Sequence, residues 1–278
     1  MNSHRKKLLR VAPFFVVFFI YVFAALVPGT FSGKSPTLTN LGQRLQAPGY
    51  VAREGEVYRL GTDELGRDIW SRLVYGARVS MSVSFASVLL SATIGGMLGV
   101  VAGYFQNVSG TLIMRIADVF LSIPFFLLAI LTVAALGPNL VNLIVVLGVA
   151  RWPRYARVAH GKTLTTANQD FIKAIVVLGA GPGRILLRHV LPEIVPSLIA
   201  LATVEVGRMI IFEASLSFIG LGIQPPEPSW GSMLTQGQYY LSQAWWLSAF
   251  PCLAIFFLAL SVNFIGDFAR DALDPKIE

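Results

Sequence analysis

Six long runs of apolar residues, at about 9–28, 79–104, 117–136, 139–158, 194–222 and 245–267, constrain this chain more than any other feature. Each is close to the ~20 helical residues needed to cross a ~30 Å hydrocarbon core. Backbone in lipid must satisfy its own hydrogen bonds, which leaves only helices and closed barrels. A barrel reads as alternating segments of about ten residues, and unbroken runs are the opposite pattern. Only 13% of the residues are charged, against ~25% in soluble domains, so lipid must be part of the solvent. The expected fold is all-α: a polytopic membrane protein with six transmembrane helices.

The segments between the runs divide the chain into a tail and first helix (1–28), a polar outer loop with an interfacial helix (29–78), and a five-helix core (79–278) interrupted by an amphipathic stretch at 159–193. His4-Arg5-Lys6-Lys7 followed by Leu8 to Val27 has the charged and apolar regions of a signal peptide. No convincing small-residue cleavage site follows before Pro28-Gly29, so the run reads as a retained span.

Basic residues report orientation, because short cytoplasmic segments are enriched in them. With both termini cytoplasmic, fourteen of the 22 fall inside: Arg5, Lys6, Lys7, Arg10, Arg115, Arg151, Arg154, Arg157, Lys162, Lys173, Arg184, Arg188, Arg270 and Lys276. The long outer loop holds seven, but long segments weigh little, and the outer segment 223–244 holds none. Its aromatics Trp230, Tyr239, Tyr240, Trp245 and Trp246 suit an interface belt. The net charge of +7 therefore follows topology and does not call for nucleic acid as a partner. The lone cysteine, Cys252, excludes an intrachain disulfide.

Within the second run, Ser87, Ser91, Gly95, Gly99 and Gly103 recur every four residues and strip one helix face of bulk. Another helix, of this chain or of a partner, can approach closely there.

The stretch 159–193 is too short to cross a bilayer twice. Asp170 can cap a helix in which Phe171, Ala174, Ile175 and Leu178 share a face. Gly179-Ala180-Gly181-Pro182-Gly183 must then turn. A second short helix, Arg184 to Val190, sets Ile185 and Leu186 beside Arg188 and His189 before Pro192 opens the next span. Such a helix-turn-helix, with an apolar face and basic ends, is suited to docking on another protein at the membrane surface. Ala174, Gly179, Ile185, Leu191 and Pro192 resemble the cytoplasmic loop of binding-protein-dependent ABC importer permeases. Lys173 stands where that pattern usually has a glutamate, and Ile175 where it has a second alanine.

Two more segments carry the resemblance. Gly61-Thr62-Asp63-Glu64-Leu65-Gly66-Arg67-Asp68-Ile69-Trp70-Ser71-Arg72 looks like the segment before the second span in the oligopeptide, dipeptide and nickel permeases. Glu213 to Gly222, followed by Pro225-Pro226-Glu227-Pro228-Ser229-Trp230-Gly231, is similar to that group's fifth-span exit, and the match is nearest to its second permease subunit. On physical grounds Thr62 or Asp63 can cap a turn, and Asp68 can start an interfacial helix. Asp63, Glu64 and Asp68 lack EF-hand spacing, so capping and pairing with Arg67 and Arg72 are favoured over metal binding. The stiff segment 225–231 suits a lid, a docking surface or a plain connector. Asp63, Arg67, Asp68, Pro226 and Trp230 are thus candidates for an external gate or a binding-protein contact.

Glu205, Arg208 and Glu213 fall at membrane depth, where each charge costs at least ~2.5–3.5 kcal/mol and must pair or face a polar cavity. Glu205 and Arg208, at i and i+3, can pair, or touch a translocation path. Glu213 has no cation within one turn and suits a cavity or partner contact.

No Gly-x-x-x-x-Gly-Lys-Ser/Thr loop is present, and none of His4, His160 and His189 has ligand companions, so no nucleotide, cofactor or metal site is expected. The resemblance implies a non-enzymatic permease subunit in a bacterial or archaeal inner membrane. It implies a second homologous permease, two cytoplasmic ATPase subunits or domains that bind ATP and Mg, and an external solute-binding protein. The ATPase-coupling residues would be Asp170, Phe171, Lys173, Ala174, Gly179, Arg184, Ile185, Arg188, Leu191 and Pro192. A stand-alone ion-coupled transporter is the alternative; it predicts broken helices at matching places in two halves.

Overall fold

The computed structural model describes residues 2–53 and 55–273, with side chains from Val11 to Ala272. The tail cations Arg5, Lys6, Lys7 and Arg10, and Lys276, lie outside the described side chains. Helix α1 (Asn2–Leu26) is followed by a single turn, α2 (Pro28–Phe31). Strands β1 (Tyr50–Val51) and β2 (Val57–Tyr58) form an antiparallel pair with Tyr50 opposite Tyr58. Helices α3 (Ile69–Phe105), α4 (Val108–Ser122), α5 (Phe125–Leu136) and α6 (Leu140–Ala167) follow. Then come α7 (Asp170–Val177), α8 (Pro182–Ile185), α9 (Leu191–Phe218), α10 (Trp230–Gly237) and α11 (Trp246–Leu273).

Among the described residues, three helices are long and apolar enough to cross a bilayer: Ile69–Phe105, Pro182–Phe218 and Trp246–Ala272. The run expected as one span over 117–136 is instead two helices, α4 and α5, meeting at 91°. Pro124 is the cause. It has no N–H to donate and forces the preceding residue out of the helical region, and Ile123 duly sits at φ −85°, ψ 129°. The interfacial helix expected from Asp68 and the span expected over 79–104 are a single helix, α3, because no proline interrupts 69–105.

The chain divides into two compact units. One holds the chain up to Phe85 with Val133–Ile144 and Val206–Ile265; the other holds Ala86–Thr132, Val145–Glu205 and the chain from Gly266. In the first, α1 packs through Phe14, stacked on Phe264 with ring centroids 4.1 Å apart, and through Tyr21, edge-on to Trp230 at 5.5 Å. Helix α10 is held by a capping box between Ser229 and Ser232. Its Gly231 lies so close to α9 that a Cβ would come within 2.6 Å of the Ala214 carbonyl.

In the second unit the small-residue stripe of α3 meets α6 of the same chain. Ser91 Oγ donates to Gly148 O at 2.7 Å. A Cβ on Gly99 would stand 2.7 Å from Ala159 Cβ, and one on Gly103 would stand 2.7 Å from Thr163 Cβ. Ala117, Trp152 and Ala156 continue this seam onto α4. Close backbone approach of this kind is how helices associate where lipid gives no hydrophobic drive.

Candidate functional site

The helix-turn-helix expected at 168–192 forms in the second unit, with three differences from expectation. Asp170 is the first residue inside α7 and not its cap, which is Gln169; its exposed carboxylate instead accepts from Lys173 Nζ at 3.1 Å. The face of α7 buried within the chain is Ile172 and Ile175, while Phe171, Ala174 and Leu178 face outward. Third, the second helix does not stop at Val190. It runs from Pro182 through a π-helical turn, Leu186–Val190, into α9. Pro192 lies just after that turn, where a regular helix would need its missing N–H and its ring would crowd the carbonyl of Arg188.

The turn itself is a Schellman motif. Gly179 N–H donates to Val176 O at 2.9 Å and Ala180 N–H to Ile175 O at 3.3 Å. Gly179 takes φ +83°, a value that glycine adopts without Cβ strain. Pro182 then opens α8 at its first position, where no N–H is needed. Ile172, Ile185, Val190 and Ile194 form one buried cluster with Val100 of α3 and Ala159 of α6. The motif is therefore anchored by its inner face. Its outer face presents Phe171 at 44% exposure, Val177 at 86%, Leu178 at 85% and Leu187 at 71%, beside the exposed Lys173, Arg184 and Arg188. Leu191 is partly buried against the cluster.

The second unit also holds an ion cluster. Glu205 of α9, fully buried, accepts on Oε2 from Arg151 Nε at 3.0 Å and Nη2 at 2.7 Å, and on Oε1 from Arg154 Nη1 at 3.2 Å. The Arg151 guanidinium also lies 5.2 Å from the Phe125 ring centroid. Arg208 is exposed. These arginines are the residues the sequence reading missed as partners. The signal was present, since Arg151, Arg154 and Arg157 recur every three residues and so share a helix face.

In the first unit, Glu213 is fully buried among hydroxyls. Ser217 Oγ donates to its Oε1 at 2.8 Å, and Ser80 and Ser229 lie close by, yet its Oε2 makes no hydrogen bond of good geometry. Segment 62–72 is a compact ion network. Asp63 Oδ1 accepts from the backbone N–H of Leu65 and of Arg67, both at 2.9 Å, and its Oδ2 from Arg67 Nε at 2.6 Å. Arg72 Nε lies 3.3 Å from that same oxygen, and Arg72 Nη2 donates to Gln236 of α10 at 3.0 Å. Asp68 caps α3, accepting from Ser71 N–H at 2.8 Å. Trp230 Nε1 donates to Leu73 O at 2.9 Å.

Asp63, Arg67, Asp68 and Trp230 are thus buried framing groups, and of the five outer candidates Pro226 alone is exposed. Likewise Trp230 and Trp246 are buried, so the interfacial aromatics are narrowed to the exposed Tyr239 and Trp245 and the half-buried Tyr240. Among the described residues, no group of three or more His, Cys, Asp or Glu side chains could hold a metal.

Apolar membrane-length helices, a short helix-turn-helix with a bare apolar face, and a buried ion cluster define a multi-pass helical membrane protein. Residues 95–278 match the family described as binding-protein-dependent transport system inner membrane component, and the chain belongs to that family. It is 39% identical over 259 residues to the di/tripeptide transport system permease protein DppC of Pseudomonas aeruginosa (strain UCBPP-PA14), covering 93% of this chain and 86% of that one. It is 45% identical over 218 residues to the glutathione transport system permease protein GsiD of Escherichia coli O6:K15:H31 (strain 536 / UPEC), covering 78% of this chain and 72% of that one. Among solved structures, the MetNI methionine ABC transporter in an inward-facing form matches with a TM-score of 0.60 at 24% identity. That match covers 74% of this chain and 97% of the other, and it gives the fold.

Proposed function

We propose that this chain is one of two paired permease subunits in an ATP-driven importer, lining a path for short peptides or related solutes such as glutathione. The substrate class comes from the named relatives. The chain crosses the inner membrane six times, by α1, α3, the bent pair α4–α5, α6, α9 and α11, with both termini cytoplasmic. Two cytoplasmic ATPase subunits or domains bind ATP and Mg, and an external binding protein delivers the solute.

The observation that carries this reading is the two-sided motif at 170–190. Its inner face is locked into the chain by Ile172, Ile185 and Val190, while Phe171, Val177, Leu178 and Leu187 are left bare. A rigid element with an apolar outer face is a lever for a separate motor to grip. Closure of the ATPases would pull on it, and because α8 is continuous with α9 the pull passes directly into a membrane helix. Leu178→Glu and Arg184→Glu should each reduce the ATPase that co-purifies with the chain while leaving membrane insertion unchanged. Undiminished co-purification with both variants would falsify the assignment. Uptake into sealed vesicles should need both ATP and a binding protein.

A further inference from the structure

A groove of about 570 Å³ runs between α1 and α3 in the first unit, within the 300–1,000 Å³ range of small-molecule sites. We propose that it holds one anionic phospholipid, its phosphate on Arg78 and an acyl chain along α1. The two helices run in opposite directions: Trp70 Nε1 near the start of α3 donates to Phe31 O just past the end of α1 at 2.8 Å, while Phe18, further back in α1, packs on Phe85, further along α3, with ring centroids 6.3 Å apart. Phe18, Phe19 and Phe85 therefore line one end, and Ala25, Leu26, Arg78 and Ser82 the other.

The two ends differ in chemistry. The Phe18–Phe85 end is wholly apolar. At the other, α1 is finishing at Leu26, and the exposed Arg78 has no ion-pair or hydrogen-bond partner among the described residues. The exposed Ser82, one helical turn further along α3, adds a hydroxyl on the same side. Arg78 stands where the apolar run of α3 begins, so its guanidinium can reach to headgroup depth with its stem over apolar surface. The seven residue steps from Arg78 to Phe85 span about 10 Å of helix, a length that an acyl chain can follow inward. Leu26 at 70% exposure and Phe19 at 61% offer that chain a bare apolar wall. A neutral apolar occupant would leave the guanidinium unsatisfied. A phosphodiester with a hydrocarbon tail matches both ends.

The test uses the full chain purified in mild detergent with phosphatidylglycerol or phosphatidylcholine added, and lipid retained per chain is read by native mass spectrometry. Wild type should retain one phosphatidylglycerol in preference to phosphatidylcholine. Arg78→Gln should lower that retention about fivefold, the effect of roughly one interfacial cation, and remove the preference. Val22→Trp, which fills the groove, should abolish retention of either lipid, whereas Arg44→Gln in the outer loop should change nothing. Equal retention of both lipids by wild type, or unchanged retention in Arg78→Gln, would overturn the proposal. So would a photo-crosslinker at Ser82 that captures a second polypeptide in native membranes in place of lipid.

Discussion

Removing the Glu205 side chain separates a network that holds the fold from one that merely decorates it. Glu205→Ala deletes three charge-assisted contacts, at 2.7, 3.0 and 3.2 Å, but their losses are unequal. Arg154 is 41% exposed and can turn to solvent, so its contact contributes no more than a surface pair, below about 1 kcal/mol. Arg151, at 8% exposure, has no such escape. Breaking a buried pair from one side costs about 3–5 kcal/mol, because the remaining charge stays desolvated.

Glu205→Ala should therefore cost about 3–5 kcal/mol, and Arg154→Gln less than about 1 kcal/mol. In thermal unfolding followed by tryptophan fluorescence in detergent, the first corresponds to a fall of roughly 10 °C and the second to about 2 °C. The double replacement Arg151→Met with Glu205→Leu fills the same space without charge and should recover most of the loss, as apolar substitutes for buried pairs commonly do. Equal shifts for Glu205→Ala and Arg154→Gln, or a double variant as unstable as Glu205→Ala, would refute the reasoning.

Gly99→Val should destabilise the α3–α6 seam by about 1–3 kcal/mol through overpacking, since even a Cβ there stands 2.7 Å from Ala159 Cβ. Gly161→Ala, with nothing within 4 Å, should leave the melting temperature unchanged or slightly raised. Trp230→Phe keeps an aromatic ring against Tyr21 but leaves the Leu73 carbonyl without its indole donor. It should cost about 1–3 kcal/mol and speed proteolysis near residues 225–231. Gly179→Ala meets no neighbouring atom, so its cost is the backbone strain of φ +83°, about 1–2 kcal/mol. Hydrogen exchange should quicken at Ala180, whose N–H closes the turn.

The all-helical membrane class and the spans expected over 79–104, 194–222 and 245–267 are legible in the sequence, because apolar runs of that length have few other fates. The seam of Ser91, Gly95, Gly99 and Gly103 was equally plain as a pattern, but its partner was not. Close approach requires small residues on one helix and says nothing of which helix comes near; α6 answers with Ala156, Ala159 and Thr163. Pro124 was a visible break that the apolar run around it concealed. Glu205 was recognised as needing a partner, yet Arg151 and Arg154 lie 54 and 51 residues away. Helical spacing ranks local candidates such as Arg208 first. Capping and pairing by the carboxylates of segment 62–72 are legible in the sequence, but burial of Arg67, Arg72 and Trp230 depends on α10, through Gln236 and the Ser229 cap, which lies far along the chain.

The face of α7 was misassigned for a reason that bears on function. Apart from Asp170 and Lys173, its residues Phe171, Ile172, Ala174, Ile175, Val176 and Val177 are apolar in every direction, so periodicity cannot select one side. A helix apolar all round is ordinarily buried all round. Here the second unit covers only Ile172 and Ile175, because its cluster around Val100 and Ala159 has room for one face. The other side, with Phe171, Val177 and Leu178, stays open at the end of a turn that Gly179 and its two hydrogen bonds hold fixed. Bare apolar surface on a rigid element, next to Lys173, Arg184 and Arg188, is what the proposed function needs of a docking interface. The same pattern that defeats assignment from one chain is what the proposed pairing would need: one face for the fold, and one left open for a partner.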